Sequence, residues 1–247
     1  MDKLLYVAMS GASQNEMAQR AHANNLANVS TSGFRKDLEQ ARSMQVFGES
    51  MPSRVYAMSE RPATDFTPAA LQETGRDLDV AIEGDGWMAV QAPDGGEAYV
   101  RTGSLEVDAV GILRTASGFP VLGNGGLISV PPATKVEIGQ DGSISIRSQG
   151  QSSAVIAQVD RLKLVNPDQK QMEKGTDGLI HMKAGQPEPD VDANVRVASG
   201  FVEASNVNAA EEMTSILALS RQFELHIKMM RTAEDDSAAL AKVLQFS

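Results

Sequence analysis

The sequence predicts an α+β protein with one long helix at each end and a mostly antiparallel all-β middle. Three observations predict it. The two ends lack proline and nearly lack glycine, whereas the middle is punctuated by glycine turns. Small and apolar residues at the ends recur at spacings of three and four. Between the turns, apolar and polar residues alternate with a period of two.

The first helix is expected over about residues 3–28. Leu4, Ala8, Gly11, Asn15, Ala18, His22 and Asn25 fall on one face. That face has few large side chains, so it makes little core alone. Its small residues let another helix come close, where dispersion contacts grow. The stretch "AHANNLANVSTSGFRK" then places Asn24, Asn25 and Asn28 in the last turns. Asparagine is a poor interior helix residue, but it can cap, adopt a left-handed backbone and bond backbone groups. Asn28 or the turn Ser30–Gly33 is expected to end the helix, with Phe34 anchoring the exit. Asn206 and Asn208 form a matching pair where the second helix begins.

Residues 31–75 contain Pro52, Pro62 and Pro68 among many Ser, Thr and Arg. Extended chain is expected there, with a short helix near Leu38–Met44. The segment is too long for a bare linker. From residue 76 to 203 the pattern is that of strands. "DLDVAIEGDGWMAV" alternates Leu78, Val80 and Ile82 with Asp77, Asp79 and Ala81 before a Gly84-Asp85-Gly86 turn. "AYVR", "SLEVD", "ILRT", "KVEI", "SISIR" and "RLKLV" are further strands between Gly and Asp-Gly turns. Trp87 is assigned to the core or to a half-buried face of the sheet.

The last helix is expected over about residues 208–246. Asn208 can cap it, and Glu211 stands three places on, as in a capping box. Glu211 and Glu212 also suit the positive end of the helix dipole. Met213, Ile216, Ser220, Phe223, Ile227 and Met230 follow a 3–4 spacing. Nearly forty residues would span about 60 Å at a helical rise. A compact domain of this length is about 35–40 Å across. The helix is therefore expected to bend, break or project. The division is thus 1–30 helix, 31–75 connecting segment, 76–203 β-rich domain and 204–247 helix.

Little here points to chemistry. The net charge is −10 and aromatic residues make up 4%, which argues against nucleic acid as a partner. No apolar run approaches the roughly 20 residues that cross a bilayer, so no direct membrane insertion is expected. There is no cysteine. His22, His181 and His226 form no metal-binding motif. The Asp-Gly pairs are ordinary turn chemistry, and "GNGG" lacks the GK[ST] of a phosphate loop. Hence no catalytic, cofactor-binding or metal site is expected, no cofactor and no small-molecule substrate. The six apolar residues Leu4–Met9 are too few for a cleaved signal peptide. On the residues alone the protein would be cytoplasmic. Two other classes fit the same pattern: a secreted β-domain ligand-binding module with helical oligomerisation arms, and a glycan-cleaving enzyme.

Three segments carry a resemblance. "MSGASQNEMAQRAHANNLANVSTSGFRK" resembles the amino-terminal signature of the bacterial flagellar rod and hook proteins. "LDVAIEGDGWMAVQ", "YVRTGSLEVDAVGIL" and "GFPVLG" resemble the β-domain segments of that family. "VASGFVEASNVNAAEEMTSILALSRQFELHIKMMRTAEDD" resembles its carboxy-terminal signature. The chain departs from the wider pattern at His22, Phe223 and His226. Within the family it is more similar to the proximal-rod than to the distal-rod member, through "MDKLLYVAM", "GDGWMAVQ" and "RLKLV".

The resemblance implies a structural subunit of the flagellar basal body rather than an enzyme. It implies terminal helices paired in a coiled-coil-like inner layer (D0-like), with the β-domain outside (D1-like). It implies a periplasmic rod reached by type III export without a cleaved signal, which replaces the cytoplasmic reading. The implied partners are other rod subunits, FlgC and FlgG, and copies of the chain in a helical assembly. The expected subunit-interface residues are Leu4, Ala8, Gly11, Asn24, Asn25, Asn28, Phe34, Asn206, Asn208, Met213, Ile216, Phe223, Ile227 and Met230. In the isolated subunit Ile216, Phe223 and Ile227 are expected to be exposed.

Overall fold

The structure is a computed structural model that describes residues 2–39, 41–45, 55–59, 63–101, 103–148 and 157–245. It divides into two compact units. One comprises residues 1–29, 36–65 and 207–247, and the other residues 30–35 and 66–206.

The first unit is helical, with short strands. Helix α1 (Asp2–Ala27) and helix α2 (Ala209–Gln245) lie against each other in opposite directions, Gly11 meeting His226 and His22 meeting Glu212. Ala8, Ala12 and Ala18 are buried on the inner side of α1. Their small size permits the close approach that the sequence suggests. Asn208 caps α2, its Oδ1 accepting from the Ala210 N–H at 3.1 Å. Helix α2 runs unbroken for 37 residues, about 56 Å at the usual rise. Ile216, Phe223 and Ile227 are half-buried rather than exposed. By the 3.6-residue period they share the side of α2 that carries Glu212 and His226, the side turned to α1.

The short helix expected near Leu38–Met44 is not formed. Strand β1 (Asp37–Leu38) pairs with β4 (Ala63–Thr64), and β2 (Ala41–Gln45) pairs with β3 (Val55–Ser59). A seven-residue helix is too short to repay its nucleation. The "VYAMS" run instead offers β-branched and aromatic residues and a full antiparallel ladder, Ala41 opposite Ser59 through Gln45 opposite Val55.

Apart from one 3₁₀ turn (Gln169–Gln171), the regular structure of the second unit's described residues is all β, and every strand pairing is antiparallel. Strand β5 (Leu71–Glu73) pairs with β20 (Phe201–Glu203), and β6 (Val80–Glu83) with β19 (Arg196–Ser199). A five-stranded sheet runs in the order β16 (Leu164–Val165), β7 (Trp87–Gln91), β8 (Glu97–Val100), β18 (Ile180–Met182), β17 (Met172–Lys174). Three hairpins complete the domain: β9 (Leu105–Val107) with β10 (Leu113–Thr115), β11 (Leu122–Gly123) with β12 (Gly126–Leu127), and β13 (Ala133–Ile138) with β14 (Ser143–Ser148). Strand β15 (Ala157–Arg161) adds to β14.

Strand alternation sorts the side chains between two cores. Met88, Val90, Ala98 and Val100 enter the larger one with Leu105, Leu113 and Leu164. Trp87, Ala89 and Tyr99 enter the smaller one, on the other face, with Met172 and Ile180. Both faces of β7 and β8 are thus buried. That is why "GDGWMAV" reads as a nearly continuous apolar run rather than a half-polar strand. Glycine at position 103 is obligatory, since a Cβ there would stand 1.7 Å from the Val80 carbonyl oxygen.

Candidate functional site

The second unit holds a buried ion cluster built from residues far apart in sequence. Glu203, at the end of β20, is wholly buried. Its Oε2 accepts from Arg101 Nε at 2.6 Å, and its Oε1 from Arg35 Nη2 and the Ala69 N–H, each at 2.7 Å. Arg101 also donates to the carbonyls of Ile82, Gly84 and Gly86, at 3.3, 2.7 and 2.9 Å. It therefore fixes the β6–β7 turn that the GDG sequence makes. The Trp87 ring lies 5.9 Å from the Arg35 guanidinium and 5.8 Å from that of Arg101. Its π face offsets part of the cost of burying two cations around one carboxylate. Phe66 packs edge-on against Trp87, with ring centroids 5.6 Å apart.

This cluster gathers both ends of the unit's chain. Gly33, at a φ of 69°, donates its N–H to the Glu203 carbonyl at 2.8 Å. Phe34 lies under Lys174, whose Nζ is 3.8 Å from the ring centroid and donates to the Arg35 carbonyl at 2.9 Å. Asn206 donates its N–H to the Phe34 carbonyl at 3.4 Å and its Nδ2 to the Thr67 carbonyl at 3.3 Å. Residues 30–35, 66–69 and 203–206 are thus clipped together.

The helical unit has its own buried carboxylate, Glu212, in the first turn of α2. It accepts from His22 Nδ1 at 2.6 Å and Asn25 Nδ2 at 3.3 Å, and pairs with Lys36 Nζ at 2.8 Å. Burial pushes the Glu212 carboxyl up, but the hydrogen bonds from Lys36, His22 and Asn25 outweigh it and hold it below the usual range. The same contact with Glu212 raises Lys36. Nearby, Gln14 donates to Glu39, whose carboxyl burial pushes up.

Within the chain, the side chains of Asn25 and Asn28 bond backbone groups, and that of Asn24 bonds a carboxylate. Asn25 is fully buried, its Nδ2 donating to the Asp37 carbonyl and its Oδ1 accepting the Asp37 N–H, both at 2.9 Å. Asn28 donates to the Asn24 carbonyl at 2.9 Å and so closes the last turn of α1. Asn24 reaches the Asp37 carboxylate at 3.0 Å. Ala8 is buried and Gly11 faces His226. Ile216, Phe223, Ile227 and Met230 are half-buried, and Met213 is exposed. The side chain of Leu4 lies outside the described residues.

Away from their shared seam, both helices present apolar ridges. On α1, Leu5, Met9 and Met17 are exposed on an i+4 line through Ser13, with Tyr6 beside it. On α2, Met213, Leu217, Leu225 and Met229 are exposed on an i+4 line through Arg221. Such i+4 rows are the ridges that enter grooves on another helix. The 3–4 reading of the sequence picks out the inner face and, apart from Met213, misses these outer rows, because Arg221 and Ser13 interrupt them. Arg35, Arg101, Glu203 and Lys36 carry no local signal at all.

Comparisons with known proteins cover the same segments. Residues 5–35 match the family described as Flagella basal body rod protein. Residues 81–146 match the Flagellar hook protein FlgE/F/G D1 domain. Residues 198–243 match the Flagellar basal body rod FlgEFG protein C-terminal family. The chain is 40% identical to the flagellar basal-body rod protein FlgF of Escherichia coli (strain K12), over the full length of both. It is 39% identical to FlgF of Salmonella typhimurium, again over 100% of each chain. FlgG of Buchnera aphidicola subsp. Schizaphis graminum is 31% identical, with 93% of this chain and 95% of that protein covered. FlgG is therefore the less favoured assignment. With full-length similarity to FlgF and rod-family matches at both ends and in the middle, this chain belongs to the FlgF family of flagellar basal-body rod proteins.

Proposed function

We propose that this structural protein works as a proximal-rod subunit that passes torque across the periplasm. Its terminal helices would pair in a coiled-coil-like inner layer and meet neighbouring copies and other rod subunits, FlgC and FlgG. The outer ridges of α1 and α2 carry this reading, because a membrane-free helix pair of a rod protein leaves two apolar rows without cover. A subunit joined through two different surfaces makes a head-to-tail contact that need not close, and so grows a helical assembly. Repetition of modest contacts along a cylinder supplies stiffness. The Glu203 cluster supports the same role, since it ties together the chain segments through which a load would enter the β-domain. Export through the flagellar type III system, without a cleaved signal, fits the cysteine-free chain.

The test is a Leu217→Asp, Leu225→Asp double variant in a strain lacking the native chain. The β-domain is expected to stay folded, with unchanged Trp87 emission, while rod incorporation and swimming are lost. Normal swimming would contradict the proposal. Labelling the chain in intact basal bodies separates the proximal from the distal rod.

A further inference from the structure

The uncovered ridges are rich in one chemically reactive side chain. Met9 and Met17 on α1 are each 51% exposed, and Met213 and Met229 on α2 are 52% and 44% exposed. Met88 and Met172, in the β cores, are 2% exposed. The chain has no cysteine, so the thioethers are its readily oxidised sulfur. Leucine stands at the other apolar positions of both rows, so the ridges mix inert and oxidisable groups of similar size.

We infer that Met9, Met17, Met213 and Met229 form an oxidation site that controls whether the unassembled subunit can join the rod. This rests on the proposal that the ridges are assembly surfaces. The oxidant is a peroxide. Its terminal oxygen is transferred to the methionine sulfur as the O–O bond breaks and an S–O bond forms. The sulfur loses two electrons and the peroxide gains them; with hydrogen peroxide, the proton of the transferred oxygen passes to the departing hydroxide, which leaves as water. The sulfoxide is polar and chiral where the thioether is apolar and adaptable. Four such changes on two ridges turn a dry contact into one that must bury four polar oxygens. Methionine sulfoxide reductases reverse the change. An assembled subunit has these sulfurs covered and is spared.

The first measurement treats the purified full-length chain with hydrogen peroxide and follows each methionine by peptide mass spectrometry. Sulfoxide is expected at the four ridge positions about tenfold or more faster than at Met88 and Met172. Equal rates overturn the inference. The second compares two quadruple variants in a strain lacking the native chain, after helix content is matched to the parent by circular dichroism. With all four methionines changed to leucine, incorporation into basal bodies is measured without oxidant and taken as that strain's own baseline. With all four changed to glutamine, a mimic of sulfoxide polarity, it is expected to fall about tenfold or more. After a peroxide pulse, new basal bodies should drop severalfold further in the parent than in the leucine strain. A glutamine variant that assembles normally, or equal fractional losses after the pulse in the parent and the leucine strain, each measured against its own untreated level, overturns the inference. The Leu217→Asp, Leu225→Asp variant decides separately whether the ridges are assembly surfaces.

Discussion

The His226 ring occupies the space that a β-carbon on Gly11 would need, with Cε1 2.5 Å and Nε2 2.9 Å from that position. Two effects oppose each other for Gly11→Ala. Alanine favours a helix over glycine by about 1 kcal/mol, whereas overpacking a contact costs about 1–3 kcal/mol. With His226 present, Gly11→Ala is expected to destabilise the helical unit. In a His226→Ala background the same change is expected to stabilise it by about 1 kcal/mol. Thermal melts followed at 222 nm read the sign directly, and the same sign in both backgrounds would refute the contact.

Glu203 pairs with two buried guanidinium groups. Glu203→Gln removes the buried negative charge that both guanidinium groups hydrogen-bond, which is expected to destabilise the β-domain by about 3–5 kcal/mol. Trp87 is the single tryptophan and lies beside both arginines, its ring centroid 5.9 and 5.8 Å from their guanidinium groups. Denaturant unfolding followed by its emission therefore reports on the cluster itself. A midpoint within the error of the parent's would contradict this.

The Glu212 cluster gives the helical unit a defined pH window. Glu212 is held below its ordinary 4.5, so the folded state binds this proton less readily than the unfolded chain does. Its contribution is complete above about pH 4.5 and is lost as pH falls through the lower, folded value. Lys36 behaves oppositely: raised above 10.5, chiefly by its hydrogen bond to Glu212, it contributes fully below that pH and is lost as pH rises through the folded value. The difference in helix stability between the parent and Glu212→Gln should thus be flat between these limits and shrink outside them. A difference that stays constant down to pH 2 would show that the carboxylate is not held in this way.

Phe223 and Leu217 occupy different sides of α2 and should fail differently. Phe223 is half-buried on the side turned to α1, whereas Leu217 is 61% exposed. Phe223→Asp is expected to lower the helical melting temperature and to abolish swimming. Leu217→Asp is expected to leave the melt within about 0.5 kcal/mol of the parent, as surface changes do. Identical melts for the two variants would erase the distinction between seam and ridge.

Local signals in the sequence were reliable where the structure is local. Asn208 caps α2 as its type and position suggest, and the Gly84-Asp85-Gly86 turn stands where it was placed. The segments "SLEVD", "ILRT", "KVEI" and "SISIR" each fall on a strand. The helix expected near Leu38–Met44 failed because a ladder with Val55–Ser59, more than ten residues away, decides that segment. The ion cluster was hidden for the same reason, since Arg35 and Arg101 reach Glu203 across 168 and 102 residues. Glu212 looked like a dipole partner at a helix start. Its burial depends on His22, Asn25 and Lys36, which periodicity within α2 cannot disclose.

The helical unit draws on both extremities of the polypeptide, while residues 66–206 of the β-domain are continuous. Order of arrival then matters. In a chain that emerges amino end first, α1 waits for α2 until residues 209–245 have followed, and the β-domain can fold in the interval. The helix pair is thereby completed last, and a chain that stops before residue 209 carries a finished β-domain but no α1–α2 pair.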